Sequence, residues 1–241
     1  MSIAIIGGTG DEGFGLALRL ARAGENVVIG SRSEERGRRA AEKASDILGL
    51  GSGAGTRGGI HGASNEDAAA ACDVVFVTVP YASQADIYRS IRQALRSEAI
   101  VCDTTTPLST AVGRPAWQVL TPWEGSAAEQ ARALLPPGAR LVAGFHTVSA
   151  EPLQAIESPM EGDVLICGSD PEAKASVGSL VERIPNLRWV DAGPLSIARI
   201  VERMTALLVS LNRSYRIKSA GVSVTGRESW GEPPEVEASN P

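Results

Sequence analysis

Short apolar runs alternate with helical patterns along most of this 241-residue chain. Strands are predicted at residues 3–7, 26–30, 74–79, 99–102, 141–144, 164–168 and 187–190, and helices at 12–23, 33–48, 84–95, 127–135 and 171–184. Residues 74–79 are apolar apart from Thr78, which is typical of a parallel strand covered on both faces. The alternation therefore predicts an α/β fold with a doubly wound, mainly parallel sheet.

Three segments depart from this alternation. A long helix is predicted at about residues 194–217, because its apolar residues follow the spacing of one buried face. Those residues are Ile197, Ile200, Val201, Met204, Leu207, Leu208 and Leu211. Residues 49–62 include seven glycines and predict a flexible surface loop, and the polar, acidic stretch from Arg227 favours a disordered tail. The predicted units are a domain at 1–192, a C-terminal helical segment at 193–225 and a tail at 226–241.

Charge and cysteine content exclude several classes of protein. The formal net charge is −5, whereas general nucleic-acid-binding domains are normally basic. No apolar run approaches the roughly 20 residues that span a bilayer, and residues 1–6 lack the basic region of a secretory signal. Cys72, Cys102 and Cys167 are odd in number and next to apolar runs, so we expect buried, reduced thiols. The sequence predicts a cytoplasmic protein that binds neither nucleic acid nor membrane.

A glycine-rich motif joins the first predicted strand to the first predicted helix. It reads Gly8-Thr9-Gly10-Asp11-Glu12-Gly13 and matches the pattern GxGxxG. Gly8 permits a tight turn, Gly10 lets the backbone approach a pyrophosphate, and Gly13 lets the helix pack closely on the strand. N–H groups at the start of the helix can then bind phosphate. Because strand and helix flank the motif, it predicts a Rossmann-type dinucleotide-binding domain, with a turn that binds no ligand as the alternative.

The residues after the second predicted strand indicate which dinucleotide is bound. NAD-binding sites normally carry Asp or Glu there, whereas this chain has Ser31-Arg32, followed by Arg36. A hydroxyl and a guanidinium suit the 2′-phosphate of NADP(H), which a carboxylate would repel. NADP(H) is therefore the predicted dinucleotide, and Arg38 and Arg39 are expected to lie on a solvated helix face.

No conventional catalytic set is apparent. Only His61 and His146 are histidines, so no metal site is predicted. His146 follows a predicted strand, and open α/β sheets bind ligands at the carboxyl ends of strands, so it is either a cleft residue or a structural histidine. Hydride transfer needs mainly positioned carbons and the exclusion of water. The sequence therefore fits an oxidoreductase with two cofactors, and also an NADPH-binding regulator without turnover.

Several segments, spread over about residues 2–225, resemble the NADPH-dependent reductases of coenzyme F420, a deazaflavin. They are Ile5-Ile6-Gly7-Gly8-Thr9-Gly10, Gly30-Ser31-Arg32, Thr78-Val79-Pro80, Phe145-His146-Thr147-Val148, Asp191-Ala192-Gly193-Pro194-Leu195, and a closing helix with Arg199 and Thr205. Ordinary Rossmann domains share the first segment, whereas those around His146 and Asp191 are together much more specific. The resemblance implies hydride transfer between carbon 4 of the nicotinamide and carbon 5 of the deazaflavin, and it implies a homodimer.

The resemblance also implies roles for individual residues. Thr9, Gly10, Asp11 and Glu12 would bind the pyrophosphate, Ser31, Arg32 and Arg36 the 2′-phosphate, and Val79, Pro80 and Ala150 would line the nicotinamide side. The catalytic candidates are His146, Arg199 and Thr205, which match positions around the deazaflavin, so that the helical segment completes that site. Asp11 replaces an Asn of some members and would need a helix-capping role or an outward orientation. Arg203 stands where some members have a small hydroxyl residue.

Alternatives remain open at this stage. Arg199 and Arg203 lie on one helix face and could hold the phosphodiester and oligoglutamate tail of F420, or could pair with Glu202 or Glu182. Backbone N–H groups near residues 146–148 could stabilise negative charge on the reduced deazaflavin. A reductase of small imines or carbonyls is a second enzyme function, but it usually has a larger helical C-terminal domain. A regulator would bind NADPH without oxidising it and would have a protein partner.

Overall fold

The computed structural model describes residues 1–50, 59–227 and 230. Within these ranges one sheet contains β1 (Ser2–Ile6), β2 (Asn26–Ser31), β3 (Ile60–Ser64), β4 (Val74–Val77), β5 (Ile100–Asp103), β6 (Arg140–Ala143), β7 (Gly162–Gly168) and β8 (Leu187–Gly193). The helices are α1 (Asp11–Arg22), α2 (Glu34–Leu48), α3 (Asn65–Ala71), α4 (Tyr81–Ile91), α5 (Ala127–Leu134), α6 (Ala150–Gln154), α7 (Pro171–Glu182) and α8 (Ala198–Tyr215). Short 3-10 helices occur at Ser109–Val112 and Leu195–Ile197.

The strand order shows a doubly wound sheet. Neighbouring strands run in the order β3-β2-β1-β4-β5-β6-β7-β8, and every pair is parallel except β6 with β7. The chain winds outward from β1 in both directions, with β2 on one side and β4 on the other. This order creates a crevice at the carboxyl ends of the central strands, where folds of this kind bind ligands. The predicted Rossmann-type, mainly parallel α/β fold with a C-terminal helix is therefore confirmed.

Successive apolar side chains of β1 belong alternately to two apolar cores, one on each face of the sheet. Ile3 and Ile5 lie in one apolar cluster with residues of α1, α2 and α7, whereas Ala4 and Ile6 lie in another with residues of α3, α4 and α5. Successive side chains of a strand point to opposite faces, so one apolar strand supports two helical layers. Both faces of the central strands are covered, as the apolar run at 74–79 predicts.

The closing helix α8 buries a narrower face than its sequence predicts. Ala198 and Val201 are buried in a third cluster, with residues of α5, β6 and β7. Ile200 and Leu207 were expected on the same buried face, but they are 61% and 58% exposed. That prediction is wrong for the single chain, because the apolar stripe of α8 is wider than the surface on which the helix packs.

The glycine-rich stretch is partly a strand. Residues 51–58 lie outside the described residues, but β3 begins at Ile60, inside the predicted loop 49–62, and α3 follows it directly. A Cβ on Gly62 would lie 2.1 Å from the carbonyl carbon of Gly37, so this glycine lets α2 lie against β3. The loop prediction is wrong for residues 60–62, because their glycine serves close packing rather than flexibility.

Most of the predicted tail at 226–241 lies outside the described residues. Of the described part, Arg227 donates to the carbonyl oxygen of Trp189 over 3.0 Å, and its guanidinium lies 5.1 Å from the ring centre of Trp230. None of the helices in the described ranges is long and apolar enough to span a membrane.

Candidate active site

Four neighbouring strands end together at one edge of the sheet. Ile6 of β1 aligns with Val77 of β4, Val77 aligns with Asp103 of β5, and Asp103 aligns with Ala143 of β6. The segments that follow these residues therefore surround one crevice, beside the switch in strand order. This register brings the glycine motif, the segment after β4 and the segment that contains His146 to the same edge.

The turn after β1 is held by two adjacent glycines. Gly7 has φ +76°, a left-handed conformation that favours glycine, and a Cβ there would lie 2.5 Å from Cγ1 of Val79. Gly8 has ordinary backbone angles, but a Cβ would approach the carbonyl oxygen of Ile5 to 2.8 Å. The left-handed residue of the tight turn is thus Gly7 rather than Gly8, and Gly8 is required by close approach.

The other two glycines of the motif face different surroundings. A Cβ on Gly13 would lie 2.2 Å from Oγ1 of Thr78, so α1 packs directly on the segment after β4. At Gly10 the nearest atom to such a Cβ is the carbonyl oxygen of Gly7, at 3.5 Å. Gly10 therefore opens to free space at the start of α1, which fits the close approach of a pyrophosphate.

The two acids in the first turn of α1 differ in their surroundings. Asp11 is exposed, and α1 has no side-chain cap at its N-terminus, so Asp11 takes the outward orientation. Glu12 is partly accessible, but its Oε1 is buried without a hydrogen-bond partner among the described residues. Burial raises the pKa of Glu12 to about 8.

The candidate 2′-phosphate site lies at the end of β2. Ser31 is buried at that end, and Arg32 and Arg36 are exposed beside it. Neither arginine forms an ion pair with the part of the chain that the structure describes. Arg38 and Arg39 instead pair with glutamates one turn earlier on α2, as expected for a solvated helix face. Two cationic groups thus remain free to bind an anion beside a hydroxyl group.

His146 is presented by a strained residue. The preceding Phe145 has φ +66°, is buried, and packs edge-on against Phe76 with 5.6 Å between ring centres. A bulky residue seldom adopts a positive φ, and such strain clusters at functional sites. Both ring nitrogens of His146 are buried without a partner in the described chain, and burial lowers its pKa to about 4. The imidazole is therefore neutral at pH 7, with one donor and one acceptor available.

A pair of threonines connects α8 to the His146 segment. The hydroxyl of Thr205 donates to the carbonyl oxygen of His146 over 2.7 Å, and Oγ1 of Thr106 lies 3.1 Å from Oγ1 of Thr205. Because the hydrogen of Thr205 is directed to the carbonyl, Thr106 is the donor between the two hydroxyls. The structure thus brings His146 and Thr205 together. Sequence reasoning missed Thr106, although a run of three threonines starting at Thr104 follows a predicted strand.

Arg199 contacts α5 and not the His146 segment. Its Nε and Nη2 donate to the two carboxylate oxygens of Glu129 over 2.6 and 2.7 Å, and Nη2 also donates to the carbonyl oxygen of Glu124. Arg203 donates to Oγ1 of Thr121 over 3.1 Å. The structure thus ties Arg199 to α5 and does not bring it into contact with His146.

Pairing of these arginines with Glu202 or Glu182, one of the two alternatives left open above, is not found among the described residues. Glu202 is buried, and its two carboxylate oxygens accept from the backbone N–H groups of Ala127 and Ala128 over 2.9 and 3.0 Å. Burial raises the pKa of Glu202 to about 8. Glu202 therefore points from α8 into the first turn of α5.

Asp103 is a buried acid that sequence reasoning also missed. Its carboxylate accepts from the hydroxyl of Tyr88 at 2.6 Å, from Nε2 of Gln84 at 2.9 Å and from the backbone N–H of Thr105 at 3.0 Å. Burial raises its pKa to about 6, so it is mainly ionised at neutral pH. The only signal in the sequence is an acid directly after the predicted strand 99–102.

The candidate nicotinamide side is built from two segments. Val79 and Pro80 follow β4, and Ala150 begins α6. Buried Arg19 of α1 fixes α6, because its guanidinium donates to several carbonyl oxygens of residues 152–158, including that of Leu153 at 3.0 Å. Ala150 is thereby held at a set position relative to the glycine motif.

A cavity of about 600 Å³ lies beside the His146 segment. Its walls include Thr147 and Val148, the start of β7, and the stretch 216–222 that follows α8. At its rim Lys218 pairs with Glu151 over 3.1 Å. Residues after α8 thus form one wall of a space next to the candidate site.

The described residues contain no candidate metal site and no disulfide. In residues 1–50, 59–227 and 230 no group of three or more His, Cys, Asp or Glu side chains could hold a metal ion. The three cysteines are buried and free, as expected.

A family model described as NADP oxidoreductase, coenzyme F420-dependent, matches residues 2–107. The F420-dependent NADP reductase of Methanothermobacter thermautotrophicus is 41% identical over 226 residues, which are 93% of this chain and 95% of that protein. The chain belongs to the F420-dependent NADP reductase family. The family's reductase from Methanocaldococcus jannaschii is 39% identical over 95% of this chain and 100% of its own length.

A solved structure has the same fold as this chain. It comes from Arthrobacter sp. FB24 and is provisionally described as an F420-dependent NADP reductase. The two chains share 24% identity with a TM-score of 0.75, over 92% of this chain and 98% of the other. At this identity the match supports the fold alone.

Proposed function

We propose that this protein transfers a hydride between NADP(H) and coenzyme F420. The proposal is carried by the match to F420-dependent NADP reductases at about 40% identity over nearly the whole of both chains. The hydride moves with its electron pair between carbon 4 of the nicotinamide and carbon 5 of the deazaflavin, and a proton from water completes reduction of the deazaflavin when NADPH is the donor. The chain supplies binding, orientation and exclusion of water.

NADP(H) fits the first half of the crevice. Gly10 opens to free space at the start of α1, where backbone N–H groups and the helix dipole favour a pyrophosphate. Ser31, Arg32 and Arg36 offer the 2′-phosphate a hydroxyl and two guanidinium groups that form no ion pair with the described residues. Val79 and Pro80, which follow β4, would then line the nicotinamide.

The deazaflavin fits the half of the crevice next to β6. The neutral ring of His146 can donate one hydrogen bond and accept another, as the polar edge of a deazaflavin requires. Thr205 acts through the carbonyl of His146 and is therefore a positioning residue. Arg199 is neutralised by Glu129, so we assign it to holding α8 against α5 rather than to binding an anion.

The three predicted units receive separate roles in this proposal. Residues 1–192 bind NADP(H), and residues 193–225 complete the deazaflavin side. The cavity beside Thr147 supports the second role, because the stretch 216–222 forms one of its walls. Residues 226–241 are assigned no part in catalysis.

We further propose that the working unit is a cytoplasmic homodimer. The support is the apolar surface that a single chain leaves uncovered on α8, where Ile200 and Leu207 are one above the other, seven residues apart. A second copy of the chain would cover this stripe.

The deciding experiment mixes purified protein, NADPH and oxidised F420 and follows the absorbance of the oxidised deazaflavin. We expect absorbance to fall with NADPH present, and to recover when NADP⁺ is added to reduced F420. No change above a control without enzyme, in either direction, would refute the proposal. Tight NADPH binding without turnover would favour a regulator, and NADPH oxidation with a cyclic imine but not with F420 would favour an imine reductase.

A further inference from the structure

Two acids that interact electrostatically, Glu12 and Asp103, differ in the hydrogen bonds that their carboxyl groups accept. Asp103 of β5 accepts three hydrogen bonds, from Tyr88, Gln84 and the backbone of Thr105. Glu12 of α1 has a buried Oε1 that accepts none from the described residues. Hydrogen bonds to a carboxylate favour its charged form, and burial without them disfavours it. The donors therefore make Asp103 the anion of the pair and Glu12 the neutral acid.

The Thr104 hydroxyl does not reverse this assignment. It donates to the carbonyl oxygen of Val77 over 3.2 Å. Hydrogen bonding with Thr104 lowers the pKa of Glu12, but the effect of burial is larger and has the opposite sign.

The electrostatics agree with this geometry. Burial is the main cause that raises the pKa of Glu12 to about 8, and the nearby Asp103 raises it further. The pKa of Asp103 is lower, at about 6. Between these values the pair carries one proton, on Glu12.

Glu12 also occupies a place where a charge would matter. It lies in the first turn of α1, which is the turn offered to the pyrophosphate of NADP(H). A carboxylate there would place a negative charge in a poorly solvated position beside two phosphates. A neutral carboxyl group leaves the N–H groups and the positive end of the helix dipole to the ligand.

We propose that Glu12 is a positioning residue that must hold a proton for the start of α1 to bind NADP(H). The proposal rests on the NADP(H) site of the proposed function. Deprotonation of Glu12 and binding of the dinucleotide then exclude each other. Above the pH at which Glu12 ionises in the protein without ligand, binding of each NADPH is accompanied by uptake of one proton by the protein.

The titratable groups near Glu12 define the controls. From β5 these are Asp103 and Cys102, whose pKa values burial raises to about 6 and well above 9, so neither titrates between pH 8 and 9. On α1 itself, exposed Asp11 is the neighbouring acid. Glu202 of α8 has a pKa raised to about 8 by burial, but it is bound to the start of α5. It is the group that could take up a proton in place of Glu12.

The experiment measures NADPH binding by calorimetry at pH 7 and pH 9, in buffers with different ionisation enthalpies, so that proton uptake is counted directly. The 2′-phosphate has a pKa near 6 and is silent in this range. For the wild type we expect uptake approaching one proton per site at pH 9, and a Kd about tenfold higher than at pH 7. Glu12→Gln should show no uptake and a Kd that does not change between the two pH values.

Asp11→Asn is the matched control, because it removes a neighbouring acid from the same helical turn. It should change the affinity by the same factor at both pH values and keep the proton uptake of the wild type. Absence of uptake in the wild type, or uptake that survives in Glu12→Gln, would overturn the role of Glu12. Absence of NADPH binding at pH 7 would instead overturn the NADP(H) site itself, so the two failures are distinguishable.

Discussion

At the scale of single residues, burial decides the chemistry of this site more than residue type does. The imidazole of His146 has no partner for either nitrogen among the described residues, and its pKa is lowered by burial to about 4. In the unfolded chain the same ring has a pKa near 6.5. Above pH 6.5 the ring is neutral in both the native and the unfolded chain. The two states therefore differ in the protonation of His146 only below that pH.

His146 should make folding stability fall as the pH falls from 6.5 to about 4. In that window the unfolded chain binds a proton at His146 and the native chain does not, so acid favours unfolding. Between pH 7.5 and 4.5 the wild type should lose about 2–3 kcal/mol more than His146→Gln. Urea unfolding at the two pH values measures this difference. Equal losses in the two proteins would show that the native ring takes up a proton as readily as the unfolded chain does, and would contradict its burial without a partner.

Removal of the His146 ring should slow turnover with F420. His146→Ala takes away a positioned donor and acceptor, and we expect kcat to fall by about 10- to 100-fold, the range for loss of one stabilising hydrogen bond. NADPH affinity, measured separately, should stay within a factor of a few. Unchanged turnover would remove His146 from the site.

Arg32 should determine the preference for NADPH over NADH. Its guanidinium is unpaired in the described chain and follows Ser31, so it is free to bind the 2′-phosphate. Arg32→Ala should weaken NADPH relative to NADH by about 10- to 100-fold, as expected for loss of a hydrogen bond to a charged group. Arg39→Ala is the control, because Arg39 pairs with Glu35 on the solvated face of α2. Equal ratios in the two variants would show that the phosphate is bound elsewhere.

At the scale of elements, the start of α1 combines two demands on glycine. Gly13 is required by packing, since a Cβ would lie 2.2 Å from Oγ1 of Thr78, whereas the outer side of Gly10 is open. The backbone at Gly10 is extended, with φ −81° and ψ 164°, which alanine adopts without strain. One glycine therefore supports the fold and the other supports binding.

Alanine substitutions should separate these two demands. Gly13→Ala should cost about 1–3 kcal/mol of folding stability, as overpacked sites do. Gly10→Ala should leave the melting temperature nearly unchanged but weaken NADPH binding by about tenfold or more, because its methyl group separates the backbone from the pyrophosphate. Thermal melts and NADPH titrations of both variants test this. Full NADPH affinity in Gly10→Ala would contradict the pyrophosphate assignment.

Elements with a strong apolar pattern were predictable, and those fixed by neighbours were not. The predicted strands at 74–79 and 99–102 correspond to β4 and β5, because continuous apolar residues indicate burial on both faces. The strand β3 was missed, since His61 and Gly62 carry little apolar signal and their conformation depends on pairing with β2 and contact with α2. Short α6 was missed for a similar reason: contacts with Arg19 hold it in place.

At the scale of the whole molecule, the exposed apolar stripe on α8, formed by Ile200 and Leu207, is the proposed dimer interface, so a charge placed there should change the assembly state. Leu207→Glu places a charge in this stripe and should convert a dimer into a monomer, because an unpaired charge is costly in an apolar interface. Light scattering after size exclusion measures the mass. Ile47→Glu is the control, since Ile47 is an exposed apolar residue on α2, away from α8. A dimer that persists in Leu207→Glu would place the interface elsewhere.

The sequence by itself determined what local patterns encode: the alternation of strands and helices, the glycine motif after β1, and a hydroxyl and arginines in place of an acid after β2. These depend on residues close together in the chain. Only the tertiary structure decided which buried acid is charged, that Arg199 belongs to Glu129, and that Thr106 and Thr205 meet beneath His146. Burial and hydrogen-bond partners come from strands and helices far apart in sequence, and those partners set the charge of each group.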